Sequence, residues 1–124
     1  MAVPILKQGP YLIATIQAAL TDTDVVQLQE DVMGQVTRHR SRGIIVDVTA
    51  LDVMDSFVSR SLQGIARMTR LRGAETVIVG IQPEVAFAMV QLGMSFEDVL
   101  TALDLEEVLA LLQRPWKEPG ESAT

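Results

Sequence analysis

The sequence predicts an α/β fold with a mixed, mostly parallel central sheet of about four to five strands and about four helices. Two short runs rich in Val and Ile, Ile44–Val48 and Thr76–Ile81, are predicted strands. Neither run alternates with polar residues, which is typical of parallel strands that are buried on both faces. Amphipathic helical segments lie between and around these runs, and strands that alternate with helices imply right-handed crossovers.

The amino-terminal third is predicted to hold two short strands and one helix. The strands are Ile5–Lys7 and Tyr11–Gln17, and the turn residues Gln8-Gly9-Pro10 join them. The helix should begin in the cluster Thr21–Asp24 and end near Arg38–Arg40, because cations are favoured at the negative end of a helix. Its inward face, by spacings of three and four, consists of Val25, Leu28, Val32 and Val36.

A second helix is predicted from Asp55-Ser56 to about Arg72, and Gly73 ends it. Pro83 suits the first position of a third helix, which Gly93 ends. The inward residues predicted for the second helix are Phe57, Leu62, Ile65, Met68 or Thr69, and Leu71. Those predicted for the third are Val85, Ala88, Met89 and Leu92.

The last predicted elements are a brief edge strand within Phe96–Thr101 and a fourth helix. Asp104 with Glu107 resembles a capping box for that helix, and Pro115 terminates it. We therefore expect one domain over residues 3–114 and a flexible carboxyl-terminal tail over residues 115–124.

Composition excludes several classes of protein. The 124 residues are 48% hydrophobic but only 4% aromatic, which indicates one ordinary domain with an aliphatic core. The formal net charge of −6 argues against a nucleic-acid surface, and the lack of cysteine excludes disulfides and zinc–thiolate sites. No run approaches the roughly 18 apolar residues that a membrane helix needs, and no signal-peptide pattern opens the sequence. We expect a soluble, cytoplasmic domain.

Catalytic motifs are sparse, so we expect no enzymatic activity, no metal and no cofactor. Neither a Gly-x-Gly-x-x-Gly motif nor a Walker-type loop occurs, and His39 at an Arg-rich helix end is better explained as a surface residue that the helix dipole favours. Asp47 is less usual, because it lies inside a buried apolar run. It is either a buried functional carboxylate, or a group that points to the sheet end or satisfies a neighbouring turn.

The junction Asp55-Ser56 is the most informative local feature. A hydroxyl on the first turn of a helix lies where backbone N–H groups have no intrahelical partner, and an anion is stabilised there. Ser56 is thus a candidate phosphorylation site, and Ser59 is a second, minor candidate. The alternative is that Asp55 or Ser56 only caps the helix.

Arginines follow this serine along the same predicted helix. Spacings of seven and three place Arg60, Arg67 and Arg70 on roughly one face. This stripe is either a solvated face or a contact surface for an acidic partner.

Several longer runs resemble the STAS domain of anti-sigma-factor antagonists, over residues 3 to about 114. These are Ile44–Thr49 with its connector to Met54 and the Asp55-Ser56 junction, Thr76–Val85, and Asp104–Glu107. The resemblance is strongest to the small single-domain scaffold proteins of stressosomes. It rests there on Pro4–Lys7, Gly80–Pro83 and Thr101–Glu106.

The resemblance implies a STAS fold and a non-enzymatic signalling scaffold in a bacterial stress-response or sigma-factor pathway. Such a protein co-assembles with related STAS sensor proteins and associates with itself. It sequesters a serine/threonine switch kinase of the histidine-kinase-like ATPase superfamily, and phosphorylation of Ser56 releases the kinase. The residues that we expect to contact a partner are Asp55, Phe57, Arg60 and Arg67.

One departure from the family bears on this interpretation. Many freely diffusing antagonists continue after Asp-Ser with small and glycine residues, whereas this chain continues as Phe57-Val58-Ser59-Arg60. Bulky groups here agree with the scaffold type. The alternatives are direct antagonism of an anti-sigma factor, or a regulatory domain that binds a small ligand or a nucleotide.

Overall fold

A computed structural model describes residues 3–93 and 99–112 of the chain, and they form a five-stranded sheet with four helices. The order is the one predicted. The elements are β1 (Ile5–Gln8), β2 (Tyr11–Thr15), α1 (Asp22–His39), β3 (Gly43–Asp47), α2 (Ser56–Leu71), β4 (Glu75–Val79), α3 (Pro83–Gln91), β5 (Val99–Ala102) and α4 (Leu105–Leu112).

The strands lie side by side in their order along the chain, from β1 to β5. β1 pairs antiparallel with β2 across the predicted turn, and all later neighbours pair in parallel. In the register of the central strands, Ile13 pairs with Ile45 and Ile45 pairs with Val77. A mixed, mostly parallel sheet is therefore confirmed.

Two apolar clusters form on the two sides of the sheet, because successive strand residues point to opposite faces. Ile44 and Ile78 belong to the larger cluster, together with apolar residues of α1, α2 and α3. Ile45 and Val77 belong to the smaller cluster, together with Val108 of α4. The predicted burial of β3 and β4 on both faces is thereby confirmed.

The helix starts follow their local signals. Thr21 and Asp24 form a reciprocal capping box at α1, with both hydrogen bonds 3.1 Å long. Pro83 is the first residue of α3, and the backbone N–H of Glu107 donates to Asp104 Oδ1 over 2.8 Å at α4. The caps of α1 and α4 satisfy donors that a helix leaves unpaired at its start, and Pro83 has no N–H to satisfy.

Leu71 and Leu92 were predicted to lie in the core, and both predictions are wrong. Leu71 is 87% exposed, because turns of about 100° per residue place it almost opposite the buried stripe of α2. Leu92 is 44% exposed, because α3 ends at Gln91 and the chain turns away at Gly93, whose φ is +73°.

Strand bounds also shift slightly. β2 ends at Thr15 and β4 at Val79, two residues earlier than predicted, and β5 begins at Val99. Residues 96–98 of the predicted edge strand lie outside the described residues, as do Pro115 and the tail over residues 115–124.

Candidate functional site

The site is built at the start of α2, where Asp55 is the cap and Ser56 the first helical residue. Asp55 has an extended backbone, with φ −92° and ψ 173°, and its Oδ1 accepts a 2.8 Å hydrogen bond from the backbone N–H of Val58. Its carbonyl accepts the backbone N–H of Ser59 over 3.0 Å. The carboxylate of Asp55 thus satisfies the donor three residues on and leaves the Ser56 side chain outside the cap.

Ser56 and Ser59 differ sharply in exposure. Ser56 is exposed, whereas Ser59 is only 2% exposed. The inward stripe of α2 explains this, since Ser59 precedes Leu62 by three residues and Ala66 by seven. The same helical spacing in the sequence could have identified Ser59 as buried.

The predicted contact residues differ in chemistry and extend from the start of α2 along the helix. Asp55, Arg60 and Arg67 are exposed, and Phe57 is half-buried against the larger core cluster. Arg60 lies one turn after Ser56 on the same side of the helix. Arg67 lies two turns further along, about 10 Å from Arg60 by the rise of a helix.

A connector of eight residues, Val48–Asp55, carries the chain from β3 to Ser56. Leu51 and Met54 anchor it in the core, being 4% and 5% exposed. Val53 between them is 68% exposed and faces solvent beside the start of α2. The connector is therefore attached to the core at Leu51 and Met54. Its solvent-facing side includes the apolar side chain of Val53.

Asp47 satisfies the first turn of this connector. Its half-buried carboxylate accepts hydrogen bonds at Oδ1 from the backbone N–H of Thr49 over 2.9 Å and from Thr49 Oγ1 over 2.6 Å. Of the alternatives left open by the sequence, the structure supports the turn role for this carboxylate.

The turn after β4 meets the same connector. Gln82 Nε2 donates a 2.6 Å hydrogen bond to the carbonyl of Thr49, although Gln82 is the cap residue of α3 and makes no side-chain cap bond there. The backbone N–H of Val48 donates to the carbonyl of Val79 over 2.9 Å. Sequence analysis did not identify Thr49, and no local signal marks it.

An open cavity of about 350 Å³ lies beside the ends of β4 and β5. Its lining is mainly apolar and includes one carboxylate, and the residues are Ile81, Ala86, Thr101, Ala102, Leu103 and Glu107. Glu107 Oε2 accepts the backbone N–H of Leu103 over 3.2 Å. A lining with a carboxylate and no cation suits an anionic nucleotide poorly.

Within residues 3–93 and 99–112, no group of three or more His, Asp or Glu side chains is placed to hold a metal ion. In the same part of the chain, every helix is too short or too polar to cross a membrane.

Comparisons with known proteins agree with this architecture. The model of the STAS domain matches residues 2–108. A serine-to-glutamate variant of RsbS from Moorella thermoacetica is 35% identical, with a TM-score of 0.80, and the match covers 90% of this chain and 94% of that one. A chain from the stressosome, a signal integration and transduction hub, is 34% identical with a TM-score of 0.74, and the match covers 90% of this chain and all of that one.

A curated relative shares only part of its length with this chain. The RsbT co-antagonist protein RsbRA of Bacillus subtilis is 31% identical over 81 residues, which are 65% of this chain and 30% of that protein. The anti-sigma factor antagonist SpoIIAA shares the fold, with a TM-score of 0.71 at 15% identity.

Proposed function

Because this chain belongs to the STAS-domain family, we propose that it is a non-enzymatic scaffold of a stressosome-type partner-switching complex. It co-assembles with related STAS sensor proteins and holds a serine/threonine switch kinase of the histidine-kinase-like ATPase superfamily. Phosphorylation of Ser56 releases the kinase, which then acts in a stress-response or sigma-factor pathway.

One observation carries the proposal: an exposed serine opens α2 in a chain that matches RsbS over nearly its whole length. Ser56 is exposed, so a kinase reaches it without unfolding the helix, whereas the neighbouring hydroxyl of Ser59 is buried. The similarity to RsbRA, a protein named as a co-antagonist of RsbT, supports related co-antagonist proteins as partners and a further partner of the RsbT type.

The release step follows from local electrostatics. A phosphoryl group adds about two negative charges and three acceptor oxygens at neutral pH. Asp55 is exposed directly before Ser56 and Asp52 is exposed four residues before it, so the phosphate adds to existing negative charge on a chain of net charge −6. An acidic kinase surface that tolerates two carboxylates there is repelled by the added charge.

The residues after Ser56 favour a scaffold over a freely diffusing antagonist. Phe57 is half-buried and Val58 is 6% exposed, so the first turn of α2 is held on the core. The flexible glycines of many direct antagonists have no counterpart here. We therefore propose the scaffold role first and direct binding of an anti-sigma factor as the second candidate function.

The proposal is tested by reconstitution. The full chain, a STAS sensor partner and the cognate kinase are mixed, separated by size-exclusion chromatography, and separated again after incubation with ATP. We expect the kinase to co-elute before ATP and to leave after one phosphate per chain is mapped to Ser56 by mass spectrometry. A kinase that never co-elutes, or that leaves with Ser56 unmodified, would contradict the scaffold role.

A further inference from the structure

We propose that Thr49 and Gln82 are positioning residues for Ser56, an inference that rests on the proposed function. They hold the β3–α2 connector against the turn after β4. The connector before Ser56 therefore already has a defined conformation when a kinase binds. Both residues act through the connector that leads to Ser56.

We call the hydrogen bonds from Asp47 through Thr49 to Gln82 the tether. Its first half lies within the connector. Asp47 Oδ1 accepts hydrogen bonds from both the backbone N–H and the hydroxyl of Thr49, which fixes the side chain and the backbone of Thr49 together. The backbone N–H of Leu51 then donates to the carbonyl of Val48 over 2.9 Å and closes a turn around Thr49. Bonds to a charged carboxylate are stronger than those between neutral groups.

The second half comes from the β4–α3 turn, 33 residues along the chain. The amide of Gln82 spans the gap to the Thr49 carbonyl, while the backbone N–H of Gly80 donates to the carbonyl of Ala102 over 3.1 Å. One side chain therefore joins a connector that leads to Ser56 to a turn that is itself held by β5.

Gly80 makes this approach possible. Its φ is +76°, and a Cβ at this position would overlap Thr49 Oγ1 and lie only 3.0 Å from Thr49 Cβ. Any larger residue would therefore push Thr49 out of its place. Gly80 and Gln82 therefore both fit against Thr49, which accounts for these two residues of the run Gly80–Pro83.

The tether adds to the restraints that the buried side chains of Leu51 and Met54 place on the connector. Beyond Thr49, Leu51 and Met54 are buried, but Asp52, Val53 and Asp55 are exposed. If the tether is lost, the connector samples more conformations, and only a fraction of them presents Ser56 correctly. The apparent affinity of a kinase for the chain then falls by that fraction.

The test measures the connector and the kinase reaction on the full chain. Amide hydrogen exchange is followed for Ala50–Ser56, and KM and kcat are measured for phosphorylation of Ser56. The variants are Thr49→Val, which loses the hydroxyl, and Gln82→Met, which loses the amide donor at similar volume. Thr49→Ser retains the hydroxyl, and Thr37→Val with Gln91→Met repeat the chemical changes on exposed helix positions.

Each lost hydrogen bond should raise exchange across Ala50–Ser56 about fivefold. We expect a measurable rise in KM for Ser56, of at most the same factor, while kcat changes less than about twofold, because KM rises only as the competent fraction falls. Thr49→Ser should keep the exchange rate and KM near those of the unaltered chain. The two helix variants should also leave both quantities unchanged. Exchange rates in β3 serve as the measure of overall stability.

Two results overturn the inference. Unchanged exchange across the connector in Thr49→Val and Gln82→Met would show that the tether does not restrain it. Raised exchange with unchanged KM would show that the restraint does not position Ser56. If the unaltered chain is never phosphorylated at Ser56, the proposed function fails, while the exchange measurement still decides whether the tether exists.

Discussion

Ser56 and Ser59 lie one helical turn apart at the start of α2, yet only the first is open to solvent. Ser59 is 2% exposed among the residues that pack α2 on the sheet. Phosphate on Ser59 would bury two negative charges in an apolar environment, which is costly without a partner. The same helix thus separates an accessible hydroxyl from a structural one.

Ser56→Ala should abolish phosphorylation by the cognate kinase and leave the kinase bound in the presence of ATP, because the acceptor oxygen is lost. Ser59→Ala is the matched control and should still be phosphorylated. Phosphopeptide mapping of both variants decides between the two serines. Phosphate that persists in Ser56→Ala would mean that another hydroxyl is the acceptor.

Ser56→Asp should weaken kinase binding only partly. One carboxylate carries about half the charge of a phosphate and has fewer acceptor oxygens. Binding of the kinase, measured by titration calorimetry, should fall between the values for the unmodified and the phosphorylated chain. Ser56→Asn introduces a side chain of the same size as Asp but without its charge. This variant should bind the kinase nearly as tightly as the unmodified chain does.

Phosphorylation should change charge locally and leave the fold intact. Leu62 and Ile65 bury α2 on the sheet, being 2% and 1% exposed, and displacing the helix would cost several kcal/mol. Phosphate at the helix start instead stabilises that end by up to about 1 kcal/mol. Backbone chemical shifts should therefore change around Ser56 and Arg60 and remain constant in β3 and β4. A structure of the phosphorylated chain in which α2 is unwound or moved by several ångströms would rule this out.

The chain should associate with itself or with STAS sensor domains. Light scattering, on the chain alone and after a sensor partner is added, gives the mass of the assembly. A species that stays strictly monomeric in both samples would contradict the scaffold proposal. High salt should weaken any assembly that depends on exposed charges such as those on α2.

Leu62→Ala should lower the free energy of unfolding by about 2–5 kcal/mol, because it removes a fully buried side chain. Leu71→Ala is the matched control on the same helix. Since Leu71 is 87% exposed, its loss should change stability by less than about 0.5 kcal/mol. Urea unfolding of both variants measures the difference, and equal losses would contradict the assigned face of α2.

Local signals in the sequence predicted most of the fold. Asp55, Pro83 and the pair Asp104 and Glu107 start helices through hydrogen bonds or backbone angles that span only a few residues. The apolar runs of β3 and β4 predicted burial on both faces. Successive side chains of a strand point to opposite faces, so a continuous apolar run places apolar groups on both. Leu71 and Leu92 were predicted wrongly, one from its angle around the helix and the other from where the helix ends.

Sequence by itself determined the order of elements, the helix that begins at Ser56 and the family, because caps, turns and periodicity act between residues close in the chain. Only the tertiary structure decided that Gln82 and Gly80 hold Thr49, and that the carboxylate of Asp47 serves a turn. Those contacts join residues that meet only after parallel strands have paired, so their partners cannot be read from neighbouring positions. The physical reason is that pairing β3 with β4 brings the two following connectors together at one end of the sheet.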